Sequence, residues 1–583
     1  MKLSKFFAAV ACFSCMSFSS RAATVTVTTT ADSGAGSLRS AIAAASAGDT
    51  IDFAVAGPAI ILTSGELVIN QDLTIQGPGA ANLAISGNHS SRVFNLNGTV
   101  TISDLTIKDG EATDCCPGPL QSGHYYLGGG ILSSGVLTLN RCVVTGNSAG
   151  NRIDANWGGG GGVSASTLYL NDCTISYNTA GGRRVEESSG GGVQATTLYA
   201  TRSTFNNNKA RATDGATGGG IVIFASGLFA SGLIADCTIT DCTISGNAAS
   251  ADMAGTDGFG SGGGIATFPA ATGTTLTIIN TTISGNLAAS DPLGYLGPAK
   301  GGGLAIYGNS AAIKNSTITG NSPGGVGSMS VTIQNTIVAG NLLDRDVFSP
   351  VVSQGHNLIG ASAVSAGLVD GVNGDQVGTK SLPIDALLGP LQNNGGPTFT
   401  HALLPGSPAF NAGDNTGAPA TDQRGFPRIV GGTIDIGAYE LDILPDCALT
   451  CPENITVELA PGQSSAVVNY TPPTVNGNCS GIRVECQPPS GSIFPVGTTV
   501  VICTAVDSNS QSVFPCRFNV TVLPTPCSTP PITVNVYNGF NPSGGGAPYS
   551  GLVGSFNTSA VTFASDFSYG WHVWGFLFSG YGC

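Results

Sequence analysis

The feature that most limits what this chain can fold into is a six-residue motif that returns along its first two thirds. The copies are Cys142-Val-Val-Thr-Gly-Asn147, Cys173-Thr-Ile-Ser-Tyr-Asn178, Ser203-Thr-Phe-Asn-Asn-Asn208, Cys242-Thr-Ile-Ser-Gly-Asn247, Thr281-Thr-Ile-Ser-Gly-Asn286, Ser316-Thr-Ile-Thr-Gly-Asn321 and Thr336-Ile-Val-Ala-Gly-Asn341. Between copies sits a glycine cluster followed by an aliphatic residue, as at Gly128 to Ile131, Gly160 to Val163, Gly190 to Val193, Gly218 to Ile221, Gly262 to Ile265 and Gly301 to Leu304. Each cluster leads into a short alternating stretch such as Val136-Leu-Thr-Leu139, and helical spacing is absent. The Asn-to-Asn spacings are 31, 30, 39, 39, 35 and 20, so one repeat needs no more than 20 residues and the excess is loop. A coil of that size holds two or three short strands joined by turns. Coils stacked at about 4.8 Å give parallel sheets along a long axis, and the crossover rule favours a right-handed winding. The expected main body is an all-β, right-handed parallel β-helix.

Residues two apart on a strand point the same way, so Cys142 with Val144, Cys173 with Ile175 and Cys242 with Ile244 are expected inside, with the Thr between them facing solvent. The closing Gly-Asn supplies the positive φ that a sharp turn needs. Asn147, Asn178, Asn208, Asn247, Asn286, Asn321 and Asn341 are read as structural turn residues whose amides hydrogen-bond from coil to coil. The glycine clusters suit tight corners; a phosphate cradle would need a following helix. Cys142 and Cys173 occupy equivalent places on neighbouring coils and are read as small buried side chains in preference to a disulfide or a metal site.

Bulk properties agree with a folded, exported protein. Of 583 residues, 41% are apolar and only 10% charged, too apolar for a disordered chain. The net charge of −14 argues against nucleic acid and anionic membrane as partners. Residues 1–23 read as a secretory signal, with Lys2 and Lys5 before an apolar run from Phe6 to Phe18, and no later run has transmembrane length. Sixteen cysteines fit an oxidising compartment, so Cys447, Cys451, Cys479, Cys486, Cys503, Cys516 and Cys527 are disulfide candidates whose pairing is left open. Residues 24–60 form an N-terminal cap, in which a strand from Thr24 to Thr30 precedes a short helix with Leu38, Ile42 and Ala45 on one face.

Several segments resemble known families. Asp32-Ser-Gly-Ala-Gly-Ser-Leu-Arg-Ser-Ala-Ile42 is similar to the CSLREA segment of bacterial surface β-helix proteins, with Gly36 where that pattern has cysteine. Leu391-Gln-Asn-Asn-Gly-Gly-Pro-Thr-Phe-Thr-His401, Asp422-Gln-Arg-Gly425 and Ile434-Asp-Ile-Gly-Ala-Tyr-Glu440 resemble the choice-of-anchor Q family, which implies a pectin-lyase-like β-helix over residues 61–441. From Cys447 the texture changes to proline-punctuated alternating strands that suit an antiparallel sandwich. There Cys451-Pro-Glu-Asn-Ile455, Asn478-Cys-Ser480 and Phe494-Pro-Val-Gly-Thr498 resemble the hyalin repeat (HYR domain), an immunoglobulin-like adhesion module, over residues 445–523. In the tail, 524–583, Gly551 to Phe556 and Tyr569 to Gly575 resemble the opening of the carbohydrate-binding barrel of anthrax protective antigen. Trp571 and Trp574 there are read as core residues of a partial module.

A catalytic carboxylate pair is not evident: Asp104 with Asp109, Asp172, and Asp236 with Asp241 lie in different coils. The histidines stand singly, without metal-ligand spacing. No cofactor is implied; Asp370-Gly-Val-Asn-Gly-Asp375 has Ca²⁺-loop ingredients but reads as an ordinary turn. The long insertions, Lys108 to Tyr126, Ala149 to Trp157, Ala180 to Ser189, Ala248 to Ser261 and Leu287 to Lys300, follow the same corner and are expected to line one edge. That edge would gather His124, Tyr125, Tyr126, Trp157, Arg183, Arg184 and Tyr295 as ligand-contact candidates for a polysaccharide or a cell-surface glycan or protein. The expected function is secreted or cell-surface adhesion or structure. The alternative is a β-helix polysaccharide lyase or glycoside hydrolase.

Overall fold

The computed structural model of the chain describes residues 22–55, 57–112, 116–117, 124–150, 157–182, 185–224, 236–251, 259–268, 275–289, 301–307, 310–328, 330–342, 345–363, 366–404, 406–430, 432–441, 447–460, 463–477, 483–506, 512–524, 532–537 and 552–558. The leader up to Arg21, Arg183, Arg184, Tyr295, Cys479, Cys527, Trp571 and Trp574 lie outside these, as do the side chains of His124 and Cys447. Two compact units divide the chain, Met1–Pro445 and Asp446–Cys583.

The first unit is a parallel β-helix. Short strands with an inward apolar residue every second position stack coil on coil. Ile75, Ile102, Leu139, Leu170, Ala200 and Ile239 form one column of direct register partners and are at most 1% exposed. Ile107, Val144, Ile175, Phe205, Ile244 and Ile283 form another, fully buried in the same core. Parallel strands buried this way are held by side-chain columns more than by strand length.

The two sequence signals, asparagine and glycine cluster, belong to one device. Asn147 Nδ2 donates to Asn178 Oδ1 at 2.9 Å and Asn178 Nδ2 to Asn208 Oδ1 at 3.0 Å, and the row continues through Asn247, Asn286, Asn321 and Asn341. It ends on Asp346, whose Oδ1 accepts both the backbone N–H and Nδ2 of Asn341, each at 2.8 Å. The glycine cluster makes room for that row: a Cβ on Gly162 would stand 3.0 Å from Cγ of Asn178 and 2.7 Å from the Gly192 carbonyl. The turn before each asparagine is left-handed, with φ of 63° at Gly246 and 54° at Tyr177.

A third row runs through the first residue of the motif. Each side chain accepts the backbone N–H of the preceding coil, from Cys142 N to Cys173 Sγ (3.4 Å), Cys173 N to Ser203 Oγ (3.1 Å), Ser203 N to Cys242 Sγ (3.4 Å) and Cys242 N to Thr281 Oγ1 (3.3 Å). Cys142, Cys173 and Cys242 are buried free thiols, and Cys237 is buried as well.

The insertions begin in strands, and those that close within the described residues also end in strands, which departs from the expectation that the excess over one coil is loop. Ser148–Ala149, Thr179–Gly181, Lys209–Ala212, Ala248–Ala251 and Leu287–Ala289 stack in one sheet, and His124–Leu127, Trp157–Gly159, Glu187–Ser189, Gly215–Thr217 and Phe259–Ser261 in a second. They face each other through the smallest side chains: Ala149, Ala180, Ala210, Ala216 and Ala249 are fully buried. A Cβ on Gly158 would come 2.4 Å from the Gly181 nitrogen, so at this level the pair forms a thin lateral wing with no room for a side chain there.

At the N-terminus the helix Leu38–Ala44 is capped by Ser37, whose Oγ accepts the Ser40 N–H at 3.2 Å, and it buries Leu38, Ala41 and Ile42. The strand before it stops at Val27 instead of Thr30, because the N–H groups of Thr28 and Thr29 both turn to the Gly36 carbonyl.

The motif threonines part ways with the expectation of solvent exposure. Thr174 and Thr204 are half-buried, whereas Thr243, Thr282 and Thr317 are at most 2% exposed. The segment from Leu388 to Leu441 lies on them: Gln423 Nε2 donates to Thr243 Oγ1 (3.0 Å) and Thr398 Oγ1 (2.9 Å), Thr282 Oγ1 donates to Gln423 Oε1 (2.6 Å), and Ala438 N donates to Thr317 Oγ1 (3.0 Å). At the next coil the threonine is replaced by Ile337, fully buried against Leu403, Ile436 and Tyr439.

In the second unit, Ile455–Glu458, Arg483–Gln487, Gly497–Val506 and Ser512–Leu523 form a four-stranded sheet, and Ser465–Val468 pairs with Ser492–Pro495. Its core holds Val468, Phe494, Val501, Phe518 and Val520, with the Tyr470 ring edge-on to Phe518 at 4.9 Å. Disulfides join Cys451 to Cys516 and Cys486 to Cys503. The pairing is not wholly antiparallel, since Ile455–Glu458 runs parallel to the last strand of the sheet. Strands Ile532–Tyr537 and Leu552–Thr558 pair antiparallel in the tail.

Candidate functional site

An aromatic row occupies the seam where the wing meets the coil. Tyr125 and Trp157 are direct register partners on the wing, with ring centroids 5.7 Å apart. The row extends from Trp157 to Phe224 at 5.4 Å, from Phe224 to Phe268 at 5.7 Å and from Phe268 to Tyr307 at 5.5 Å. All five rings are half-buried. Phe224, Phe268 and Tyr307 escape a reading based on insertions because they lie outside them. Their signal is an aromatic three residues after the aliphatic that closes each glycine cluster, at Ile221, Ile265 and Leu304.

The polar tips of the row are tied to the wing. Trp157 Nε1 donates to Ser189 Oγ at 3.1 Å, and Ser189 Oγ donates to Gln194 Oε1 at 3.1 Å. Tyr307 Oη and Ser261 Oγ share a 2.6 Å hydrogen bond, and burial pushes the Tyr307 phenol above its ordinary pKa. Beneath the seam, Val222, Ala266 and Ala305 point outward from the coil and are nonetheless fully buried. Phe268 and Tyr307 stack at 18°, while the Tyr125–Trp157 and Trp157–Phe224 pairs tilt at 48° and 46°. Such a surface can contact the apolar faces of sugars, and it carries no acid or base within its rings.

Of the sequence candidates, Tyr125 and Trp157 stand in this row. Tyr126 does not, and its assignment as a contact residue is corrected: alternation along the strand turns it inward, 3% exposed, against Ala112, Ala149 and Val185. His124 belongs to the same strand.

The scattered acids do not converge. Asp104, Arg141, Asp172, Arg202 and Asp241 occupy one left-handed corner on successive coils, with φ between 45° and 58°. Arg141 grips Asp104 through two hydrogen bonds of 2.8 and 2.6 Å and holds its carboxyl below the ordinary pKa. Arg202 binds Asp172 likewise at 2.7 and 2.8 Å. Burial raises Asp241, which accepts from Asn280 Nδ2 at 3.1 Å. Asp236 Oδ1 accepts the Thr275 N–H, and Asp109 lies 3.1 Å from Lys108 Nζ. In the loop with Ca²⁺-site ingredients, Asp370 Oδ1 accepts the Val377 N–H and Asp375 Oδ1 accepts both amides of Asn357, so these oxygens serve the chain itself. Among the described residues no group of three or more His, Cys, Asp or Glu side chains has metal-holding geometry.

One cluster of charges is buried. Asp422 accepts the backbone N–H groups of Arg424 and Glu440 and the Nε of Arg424, and the Arg424 guanidinium lies 3.7 Å from the Tyr439 ring centre. Arg428, fully buried, donates to the Gly437 carbonyl. Burial, reinforced by the neighbouring Asp435 charge, pushes Glu440 up to about 8, and burial pushes Asp435 up to about 6. These residues fasten the C-terminal segment of the first unit to itself and are closed to solvent.

Residues 442–522 match the HYR domain family. Hyalin of Strongylocentrotus purpuratus is 34% identical over 110 residues, 18% of this chain and 9% of that protein. Hyalin of Lytechinus variegatus is 38% identical over 126 residues, 21% of each chain. A solved structure of the PL6-family alginate lyase AlyGC aligns with 75% of this chain and 61% of its own, at 11% identity and a TM-score of 0.29, a likeness that carries no argument. The similarity to known proteins therefore rests on the HYR segment, and the chain spans less than a quarter of either hyalin it matches.

Proposed function

We propose that this chain is an exported adhesion protein of the cell surface or extracellular space, in which a β-helix carries an HYR module and meets glycans along the wing seam. The observation that carries the reading is the HYR match over residues 442–522, with its similarity to hyalin. Several features support it. The leader pattern of residues 1–23 and the disulfides Cys451–Cys516 and Cys486–Cys503 suit an oxidising exterior. No helix among the described residues is long and apolar enough to cross a membrane. The CSLREA and choice-of-anchor Q resemblances agree with surface display. The tilted rings of Tyr125 and Trp157 offer the contact, with Arg183, Arg184 and Tyr295 on neighbouring insertions as further candidates.

The test is adhesion by the intact protein. Beads coated with the full chain are expected to adhere to cells and to glycan-coated surfaces, and antibody against the chain to stain producing cells without permeabilisation. Trp157→Ala should weaken adhesion to glycans. Staining only after permeabilisation, or beads that adhere to nothing, would overturn the reading.

A further inference from the structure

The coil has a second outward face, away from the wing, that the adhesion reading does not use. Thr74, Thr101, Thr138, Thr238, Thr277 and Thr332 stand in one register column, interrupted by Tyr169 and Tyr199 at its middle and by Ala312 near its end. Two residues further along each strand a parallel column carries Ser103, Asn140, Asn171, Thr201 and Thr240, and continues through Ile279, Lys314 and Gln334. From the coil of Thr74 to that of Thr332 the two columns contain a single charged side chain, Lys314, in a chain of net charge −14. The side chains are preorganised: Asn171 Nδ2 donates to Asn140 Oδ1 at 2.9 Å, Asn140 Nδ2 to Ser103 Oγ at 3.2 Å, and the Tyr169 and Tyr199 rings stack at 4.9 Å and 11°. Apart from Lys314, charge lies at the margins: Asp104–Arg141 and Asp172–Arg202 pair on one side, and on the other Asp72 and Asp236 stand two residues before the threonine column and accept the Thr99 and Thr275 backbone N–H groups.

We infer that this face binds an uncharged, extended polysaccharide of β-1,4-linked hexoses, laid parallel to the long axis. Three observations select that occupant. An array mainly of hydroxyls and amides whose one charge is Lys314 offers no cluster of cations to hold phosphate, sulfate or uronate and no carboxylate to hold a cation, whereas its donors and acceptors suit sugar hydroxyls. Coils repeat at about 4.8 Å, close to the advance of one hexose along an extended β-1,4 chain, so successive sugars meet equivalent groups. The register across both columns is unbroken from Thr74 to Thr332, a continuous ladder of about 38 Å that suits an extended chain better than a folded protein. This inference does not rest on the wing seam, and the two are separable.

The experiment is retention of the full-length protein on insoluble cellulose and chitin, with alginate and polygalacturonate as acidic comparators. Retention is expected on a neutral polymer and not on the acidic ones. T138K/T238K places two cations on half-buried positions of the face and should cut the affinity at least tenfold, as should Y169A/Y199A, with the melting temperature of the lysine pair unchanged. Trp157→Ala should leave retention intact. The inference is overturned if neither neutral polymer retains the protein, if the acidic polymers retain it better, or if retention ignores the lysine pair and follows Trp157.

Discussion

The side-chain carbonyl of Asn208 accepts both the backbone amide and the side-chain amide of Asn178, at 3.1 and 3.0 Å. Asn208 passes its own Nδ2 to the Ile175 carbonyl and to Asn247 Oδ1, each at 2.9 Å. One fully buried amide thus links three coils. Asn208→Ala deletes these bonds and leaves the Asn178 amides facing a void. With each orphaned buried group costing about 1–3 kcal/mol, the first unit should lose about 3 kcal/mol or more, read as a lower denaturant midpoint with little change in slope. Asn206, half-buried outside this row, is the control position.

Cys242 accepts the Ser203 N–H through sulfur at 3.4 Å and donates to the Thr240 carbonyl at 3.1 Å, while Ser203 makes the same pair of bonds with oxygen. Cys242→Ser should therefore be tolerated within about 1 kcal/mol, whereas Cys242→Ala orphans the Ser203 amide and should cost about 1–3 kcal/mol. Burial pushes the Cys242 thiol up to about 12. Thiol reagents at neutral pH should label it only when the protein is unfolded, and labelling at the same rate in the folded state would contradict this placement.

The β-helix was legible because its signals are local and repeated: a two-residue alternation, a glycine corner and an asparagine recur until chance is excluded. What escaped depends on partners far apart in the chain. The threonine of the motif reads identically at Thr174 and Thr243, yet the second is buried because Gln423, 180 residues later, reaches it. Tyr125 and Trp157 could be found by asking where insertions cluster. Phe224 could not, since it follows a core strand and joins Trp157 only through the wing. The wing itself was hidden because its strands are only two to four residues long and most turn a small Ala, Gly or Ser inward, which leaves no hydrophobic alternation to read.

Gln423 joins the C-terminal segment to two coil positions, Thr243 and Thr282, and to Thr398 of its own segment. Gln423→Ala removes these bonds without removing the segment. Thr282 Oγ1 loses its acceptor, whereas Thr243 Oγ1 still donates to the Phe399 carbonyl and Thr398 Oγ1 to the Asp241 carbonyl, so the expected results are a loss of about 1–3 kcal/mol and faster proteolysis between residues 388 and 441. Unchanged cleavage kinetics would show that the segment is held by its other contacts, among them Ala438 N with Thr317 Oγ1, Thr398 Oγ1 with the Asp241 carbonyl and the apolar packing on Ile337.

The buried acids of that same segment set a pH dependence of opposite sign to ordinary carboxylates. Glu440 rises from 4.5 to about 8 and Asp435 from 3.8 to about 6, burial being the main cause for both. Between the unfolded and folded values, the folded chain binds more protons than the unfolded one, so this contribution to stability is complete in acid and is lost as the pH climbs. The window runs from about pH 4 to about pH 8, above the range where Asp32, held low by Ser64 and Arg39, loses its own stabilising ionisation. The first unit should therefore melt at progressively lower temperature as the pH rises through that window. Glu440→Gln keeps the amide acceptor for Asp435 N and removes the titration, so it should flatten the slope, most clearly near pH 8, without lowering stability at pH 5. A slope that survives the substitution would assign the effect to another group.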